Sequence, residues 1–380
     1  MESSRKTIFF SGLNELRAVA ALAVIFHHIE LFKFLGGTKS LFKNRYFSYF
    51  IEHLGKNGVY LFFVLSGFLI TYLLISEKEK NGAINFRKFY LRRIFRIWPL
   101  YYMIIMIAFV IVPFLAKHFN IFSGTPVYYN RIMNFTNYTL ESILLYIMFL
   151  PNVALKLGKI VVGASQSWSV GVEEQFYILW PLIIAFFRKK LLIWVFGLML
   201  MIFFVFNIFY PKSFLSYIAS IIPFEFMAIG AAGGYCYSRF TGKITDYTKS
   251  PITYFITIIL IGVLIAIPIF DLYVQSVILG FLFLLLILIS IDQTNKGIFT
   301  NRSFSFLGNI SYGIYMYHPF VMFLVFPISY KLLKLYDSIY IFNIFTYLLI
   351  PGLTIFLSYF SFKYVEKYFI KIKDSKFKTL

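Results

Sequence analysis

The chain has 380 residues, 60% of them hydrophobic and only 14% charged, with a formal net charge of +20. A soluble domain of this size needs a more charged surface, and a closed β-barrel would show short alternating segments; long apolar runs recur from end to end instead, so the fold class is all-α, a polytopic integral membrane bundle. The positive balance is the Lys and Arg excess that orients membrane helices, which makes the lipid bilayer the partner and not nucleic acid, and the single cysteine, Cys236, excludes an intrachain disulfide and a multi-cysteine metal site.

The opening MESSRKT and the apolar run behind it imitate a signal peptide. The run carries Arg17, ends in HHIE and offers no small-residue cleavage site, so it reads as a retained first helix. Ten spans are predicted in chain order, at roughly 15–35, 56–76, 96–116, 167–187, 191–210, 213–236, 252–270, 273–291, 306–328 and 341–364. One further apolar segment, 141–155, is short for a span and contains Pro151. Charge decides its place. The loop 77–96 is the most basic in the chain, hence cytoplasmic. If 141–155 crossed, Arg188, Lys189 and Lys190 would fall outside. If it lies on or dips into the outer face, they fall inside, with Arg239, Lys243, Lys249, Lys296, Arg302 and the tail 363–378. The expectation is therefore about ten transmembrane helices with both termini cytoplasmic. Lys33, Lys39, Lys43 and Arg45 in the first outer loop run against the rule. No repeat and no long polar run marks a second domain, so 1–380 reads as one transmembrane domain.

Taken in chain order, five stretches carry polar chemistry into these spans. In LRAVAALAVIFHH (16–28), Arg17 and His28 are eleven residues apart, about 1100° of helical rotation, so they share a face to within about 20° and stand about 16 Å apart along the axis. His27 lies about 80° off that face. Ionisable groups inside a membrane are costly and usually line a bundle interior or a wet path. The plain alternative is a snorkelling Arg17 with a histidine hydrogen-bonded in the core. SGFLI (66–70) brings Ser66 and Gly67 to mid-span, which small-residue helix packing also explains. In RRIFRIWPLYY (92–102), Arg92, Arg93 and Arg96 form one stripe by their i,i+3 and i,i+4 spacing, either a membrane anchor or a phosphate clamp. In SWSVGVEEQFYILWPL (167–182), Trp168 and Tyr177 suit an aromatic belt, but Glu173 and Glu174 do not. Adjacent residues point about 100° apart, so only one of the two faces a given site, and Glu173 is expected one and a half turns in from the outer face. SYGIYMYHPF (311–320) puts His318 midway along a span parallel to the first, at a depth matching His28.

These motifs, with the late VEKYF, occur in the order and roughly the spacing of the bacterial membrane acyltransferase-3 family, which the chain resembles over about residues 10–368. The family's arginine-ten-residues-histidine motif maps to Arg17 and His28, its paired arginines to Arg93 and Arg96, and its WSxxVE segment to Trp168, Ser169 and Glu173. The chain departs from the pattern at Asn14-Glu15, where the acidic residue is shifted, and at Glu366-Lys367-Tyr368, where Glu-Arg-Pro is usual. The resemblance implies a multi-pass protein of the bacterial cytoplasmic (inner) membrane, here without the soluble esterase-like domain of some members. It implies transfer of an acyl group, often acetyl, from cytoplasmic acyl-coenzyme A (acetyl-CoA) as co-substrate, with no metal, to a carbohydrate acceptor. In that scheme Arg93 and Arg96 hold the donor's phosphates and Arg17 meets its arm. His28 is the general base, since neutral imidazole suits proton removal from a hydroxyl near pH 7, with a transient acyl-histidine as the alternative route. Glu173 assists from outside, and Ser66, Trp168, Ser169, Tyr177 and His318 line the site. The rival reading is a transporter or flippase of lipid-linked saccharides, whose mark would be repeat symmetry between halves with broken helices.

Overall fold

The computed structural model describes residue 10 and residues 12–38, 44–119, 138–291 and 301–376, and the regular structure among them is entirely helical. Lys39, Lys43 and Lys296, which entered the charge argument, and the last residues of the basic tail lie outside the described residues.

Helix α1 spans Leu13–Leu35 and α2 spans Arg45–Asn81. Helix α3, Phe86–Met106, continues through a π turn into α4, Val112–His118. Two short helices follow, α5 (Leu140–Ile147) and α6 (Pro151–Lys156), then α7 (Trp168–Phe186) and α8 (Lys189–Phe209). Next come α9 (Phe214–Ile221), α10 (Phe224–Thr248), α11 (Pro251–Ala266) and α12 (Leu272–Ile291). The chain closes with α13 (Arg302–Asn309), α14 (Ser311–Tyr336) and α15 (Ile339–Ser361), the last running through a second π turn into α16 (Lys367–Lys376). Among the described residues, seven helical runs are long and apolar enough to cross a membrane, or eight if α9 and α10, bent by 70°, form one span. The other two predicted spans are present as helices. Helix α7 carries Glu173 and Glu174, and α11 is only 16 residues long.

Two boundaries differ from the prediction for local reasons. The span expected at 96–116 begins ten residues earlier, because Asn85 caps the helix by accepting from the Lys88 backbone N–H at 2.9 Å. The arginine stripe therefore sits inside α3 and not ahead of it. The span expected at 306–328 is split: Asn301 caps α13, the chain breaks at Ile310, and α14 runs on to Tyr336. Lys33, counted from sequence as an outer-loop charge, is fully buried in α1. Its Nζ pairs with Glu30 Oε1 at 2.6 Å and lies 5.5 Å from the Tyr347 ring centre.

The segment 141–155 is folded as two short helices broken at Phe149, whose φ of 57° is left-handed, with Pro151 in the first turn of α6. It packs against the middle of the Phe86–His118 run. Tyr101 OH donates to the Tyr146 carbonyl at 2.6 Å, Tyr102 OH to the Ile147 carbonyl at 3.1 Å, and Phe149 stacks on Tyr101 at 4.1 Å. Helix α7 starts just after this plug, so its first turns lie within the bundle.

Helix α2 is the hub. Gly67 of α2 and Gly230 and Gly234 of α10 meet backbone to backbone: a Cβ on Gly67 would overlap the Met227 carbonyl, and one on Gly230 the Val64 carbonyl. Apolar burial gains little between helices in lipid, so close backbone approach through small residues supplies the packing. The parts of α1, α2, α3, α7 and α14 that carry the polar motifs come together around one cavity.

Candidate active site

A cavity of about 440 Å³ opens among those five helices. Of the ten residues singled out from sequence, Arg17, Ser66, Arg93, Arg96, Ser169, Glu173 and Tyr177 line it. Arg96, Leu73 and Asn309 are exposed and mark its mouth. Arg17 is held by the residue one turn back: it donates to Asn14 Oδ1 at 3.1 Å, and Asn14 in turn donates to Asn309 Oδ1 at 3.0 Å. The Arg93 guanidinium lies over the Tyr177 ring at 5.2 Å and the Phe89 ring at 5.6 Å, which fixes it by cation–π attraction. Among the described residues none of these three arginines forms an ion pair with a carboxylate. Glu366, from the VEKYF segment, is buried within electrostatic range of Arg96.

The two adjacent glutamates part company, as their 100° separation requires. Glu173 faces the cavity and accepts from Ser66 Oγ at 3.2 Å and from Tyr177 OH at 2.6 Å. Glu174 turns to α3 and accepts from Trp98 Nε1 at 3.2 Å. Glu173 shares one pocket with Arg17, Arg93 and Arg96. Ser66 faces the cavity while its neighbour Gly67 makes the α10 contact, so both readings of SGFLI hold at once. Ser169 Oγ donates to Tyr315 OH at 2.8 Å, and Tyr315 OH donates to the Gln166 carbonyl at 2.8 Å. Trp168 packs edge-on to Phe63, ring centres 6.0 Å apart, and does not line the cavity.

The histidines lie beyond the cavity's inner end, which Phe62 and Tyr315 line with ring centres 6.0 Å apart. His318 is one turn past Tyr315 on α14 and fully buried, and its ring centre is 4.9 Å from that of His28. The equal depth expected of them is thus met. His28 Nδ1 is 2.8 Å from the Val24 carbonyl and His318 Nδ1 is 2.7 Å from the Tyr315 carbonyl. A carbonyl only accepts, so each Nδ1 carries the proton and each Nε2 keeps its lone pair. His27 turns to α2, where its Nδ1 bonds the Ile51 carbonyl at 2.9 Å and its ring occupies the space left by Gly55.

Sequence reasoning passed over Asn14, Asn309, Tyr312 and Tyr315, which also line the cavity. The asparagines sit at helix ends, where such residues ordinarily cap, and two tyrosines among 29 carry no signal.

A model of the acyltransferase domain family matches residues 10–363. The chain is 28% identical over 199 residues to the peptidoglycan O-acetyltransferase OatA of Listeria monocytogenes, a match covering 49% of this chain and 25% of that protein. It is 30% identical over 178 residues to the putative peptidoglycan O-acetyltransferase YrhL of Bacillus subtilis, covering 47% and 24%. It is also 30% identical over 183 residues to a putative O-acetyltransferase of Staphylococcus aureus, covering 48% and 26%. Each match spans about half of this chain and about a quarter of the relative. No solved structure matches the chain.

Proposed function

This chain belongs to the acyltransferase domain family, and we propose that it transfers an acyl group, acetyl in the first place, from acyl-coenzyme A to a hydroxyl of a cell-envelope or lipid-linked carbohydrate. The observation that carries this reading is the cavity with three guanidiniums to which no carboxylate among the described residues is paired. Such a pocket suits a ligand with several negative charges, because arginine forks bind phosphate bidentately and a low-dielectric wall strengthens each contact. Coenzyme A brings phosphates at one end and a thioester at the other. The O-acetyltransferase names of the relatives support the acyl group, and peptidoglycan in two of those names supports a glycan acceptor.

In this reading Arg96, exposed at the mouth, and Arg93, fixed on Tyr177, hold the phosphates, and Arg17 meets the donor further in. Glu173 offsets part of the guanidinium charge and holds Ser66 and Tyr177 along the wall. The arm of the donor passes Phe62 and Tyr315 to reach His28. His28 Nε2, free to accept because Nδ1 is committed to Val24, removes the hydroxyl proton as the acceptor oxygen attacks the thioester. The mouth faces the cytoplasm, an orientation supported by the basic residues Lys78, Arg87, Lys88, Arg188 and Lys190 at the ends of α2, α3 and α8. The protein sits in the cytoplasmic membrane with about ten spans, α7 and α11 included. Family membership favours transfer over the transporter reading.

The test is direct. Purified protein in detergent is given radiolabelled acetyl-CoA with and without fragments of envelope glycan, and free thiol and labelled glycan are measured. Thiol release that rises with glycan and deposits label on it supports the proposal. No release from any acyl-CoA overturns it.

A further inference from the structure

We propose that Phe62 is a movable gate between the donor cavity and the histidines, and that the width it allows selects the acyl group that reaches His28. This rests on the acyl-transfer reading above and goes beyond it, because there the donor's arm passes the two rings with neither assigned to move or to select.

Four rings stand in a row. The Phe62 ring centre is 6.0 Å from that of Tyr315, Tyr315 is 5.8 Å from His318, and His318 is 4.9 Å from His28. Phe62 and Tyr315 line the cavity, and the two histidines do not. The first two rings therefore stand between the space where the arginines hold a donor and the imidazole that takes the proton. A thioester arriving from the cavity meets them first, and one of them has to turn aside before an acyl carbon reaches His28.

Tyr315 is the fixed leaf. Its hydroxyl donates to the Gln166 carbonyl and accepts from Ser169 Oγ, each at 2.8 Å, and Gln166 Nε2 donates to the Met316 carbonyl at 2.8 Å. Turning Tyr315 would break buried hydrogen bonds and leave their partners unmatched, which is costly. The other tyrosines of the cavity wall are tied likewise, Tyr177 to Glu173 and Tyr312 to the Ile97 carbonyl. Phe62 has no polar side-chain atom, so a change of rotamer breaks no hydrogen bond. It is half-buried and packs against both buried apolar clusters, the one that holds Leu16 and Tyr315 and the one that holds Ala21, Ile25 and Ile314. The cavity beside it leaves its ring room to swing.

Such a gate selects by width more than by length. A straight acyl chain is no wider than the donor arm that carries it, so once the ring has turned aside the chain can follow. A branched or aromatic acyl group needs the space that the Phe62 ring itself takes up. Apolar walls discriminate steeply on this ground, by roughly 10- to 200-fold for a single methylene. Cutting the ring back to a methyl group leaves a hole that a wide acyl group can fill. Enlarging it to an indole overfills a packed wall and jams the passage.

The experiment reads acyl preference, which a merely structural role would not move. Purified wild type, Phe62→Ala and Phe62→Trp are given acetyl-, isobutyryl- and benzoyl-CoA with a glycan acceptor, and transfer rates at saturating donor are compared as ratios. The wild type should prefer acetyl to benzoyl by at least about 100-fold, with isobutyryl between them. Phe62→Ala should narrow the acetyl-to-benzoyl ratio by at least about tenfold. Phe62→Trp should slow even acetyl transfer by about tenfold or more, while titration shows that it still binds acetyl-CoA through the arginines. A residue that only supports the fold would lower all three rates together and leave the ratios as they are. Should the alanine variant not fold, Phe62→Leu takes its place, with a smaller shift in the same direction. A wild type that uses benzoyl as readily as acetyl, ratios unchanged in the alanine or leucine variant, or a folded tryptophan variant as fast as the wild type would overturn the gate. If the wild type moves no acyl group at all, the acyl-transfer reading fails and the gate with it.

Discussion

Removing Arg93 should weaken donor binding more than removing Arg96, although the two belong to one stripe. Arg93 is half-buried and already seated on the rings of Tyr177 and Phe89, so it reaches a phosphate with little ordering left to do. Arg96 is exposed at the mouth, where water and salt screen it. A hydrogen bond to a charged group is worth about 1.5–3 kcal/mol, or roughly 10- to 150-fold in affinity. Arg93→Ala belongs near the top of that range and Arg96→Ala near or below the bottom. Lysine at position 93 should recover only part of the loss, because it cannot fork and sits less well on an aromatic face. The assay is calorimetric titration of purified variants with a non-hydrolysable acetyl-CoA thioether, repeated at two salt concentrations. Raising the salt should weaken the wild type more than either alanine variant. Donor affinity unchanged in both variants would reduce the stripe to a membrane anchor and refute the reasoning.

Two further outcomes follow from the packing and the charge pattern. Gly67→Ala should destabilise the protein by about 3 kcal/mol or more, because the new Cβ meets the Met227 backbone, whereas Ser66→Ala should fold normally, having lost only its cavity-side bonds to Glu173 and Tyr177; thermal unfolding in detergent separates them, and equal melting would refute the assignment of the two residues to different faces. In a Cys236→Ser background, an impermeant thiol reagent applied to intact cells should label Tyr340→Cys, at the exposed start of α15, and spare Lys190→Cys at the start of α8; the opposite pattern would invert the topology.

What could be read from the residues was what periodicity and charge control. The eleven-residue step from Arg17 to His28 fixes a shared face whatever the helix packs against. The basic residues at 188–190 bear on whether 141–155 crosses, and its shortness and Pro151 set it apart from the spans. The choice of Glu173 over Glu174 needed only the turn per residue and a partner motif. Depth was not legible. That α7 starts beneath the α5–α6 plug depends on Tyr101 and Tyr102 bonding the carbonyls of Tyr146 and Ile147, contacts between segments 45 residues apart. The sequence placed Glu173 one and a half turns into its helix but did not show that it shares a pocket with Arg17, Arg93 and Arg96. The buried Glu30–Lys33 pair went unseen for a similar reason: a lysine near a helix end reads as solvated until Tyr347 arrives from 317 residues away from Glu30. Tyr315 was hidden by composition, since an aromatic pick means little in a chain that is 22% aromatic.

The central claim, acyl transfer with His28 as base, is tested most directly by measuring transfer of labelled acetyl from acetyl-CoA to glycan in parallel with donor affinity for wild type, His28→Ala and His27→Ala. The account predicts that His28→Ala folds, binds donor as the wild type does and loses about 10²–10⁴-fold in transfer rate, the range for removing a positioned base. It predicts that His27→Ala, which gives up its bond to Ile51, its packing on Gly55 and its edge contact with the His28 ring, keeps most of its activity per folded molecule. Transfer that survives in His28→Ala at the wild-type rate would contradict it.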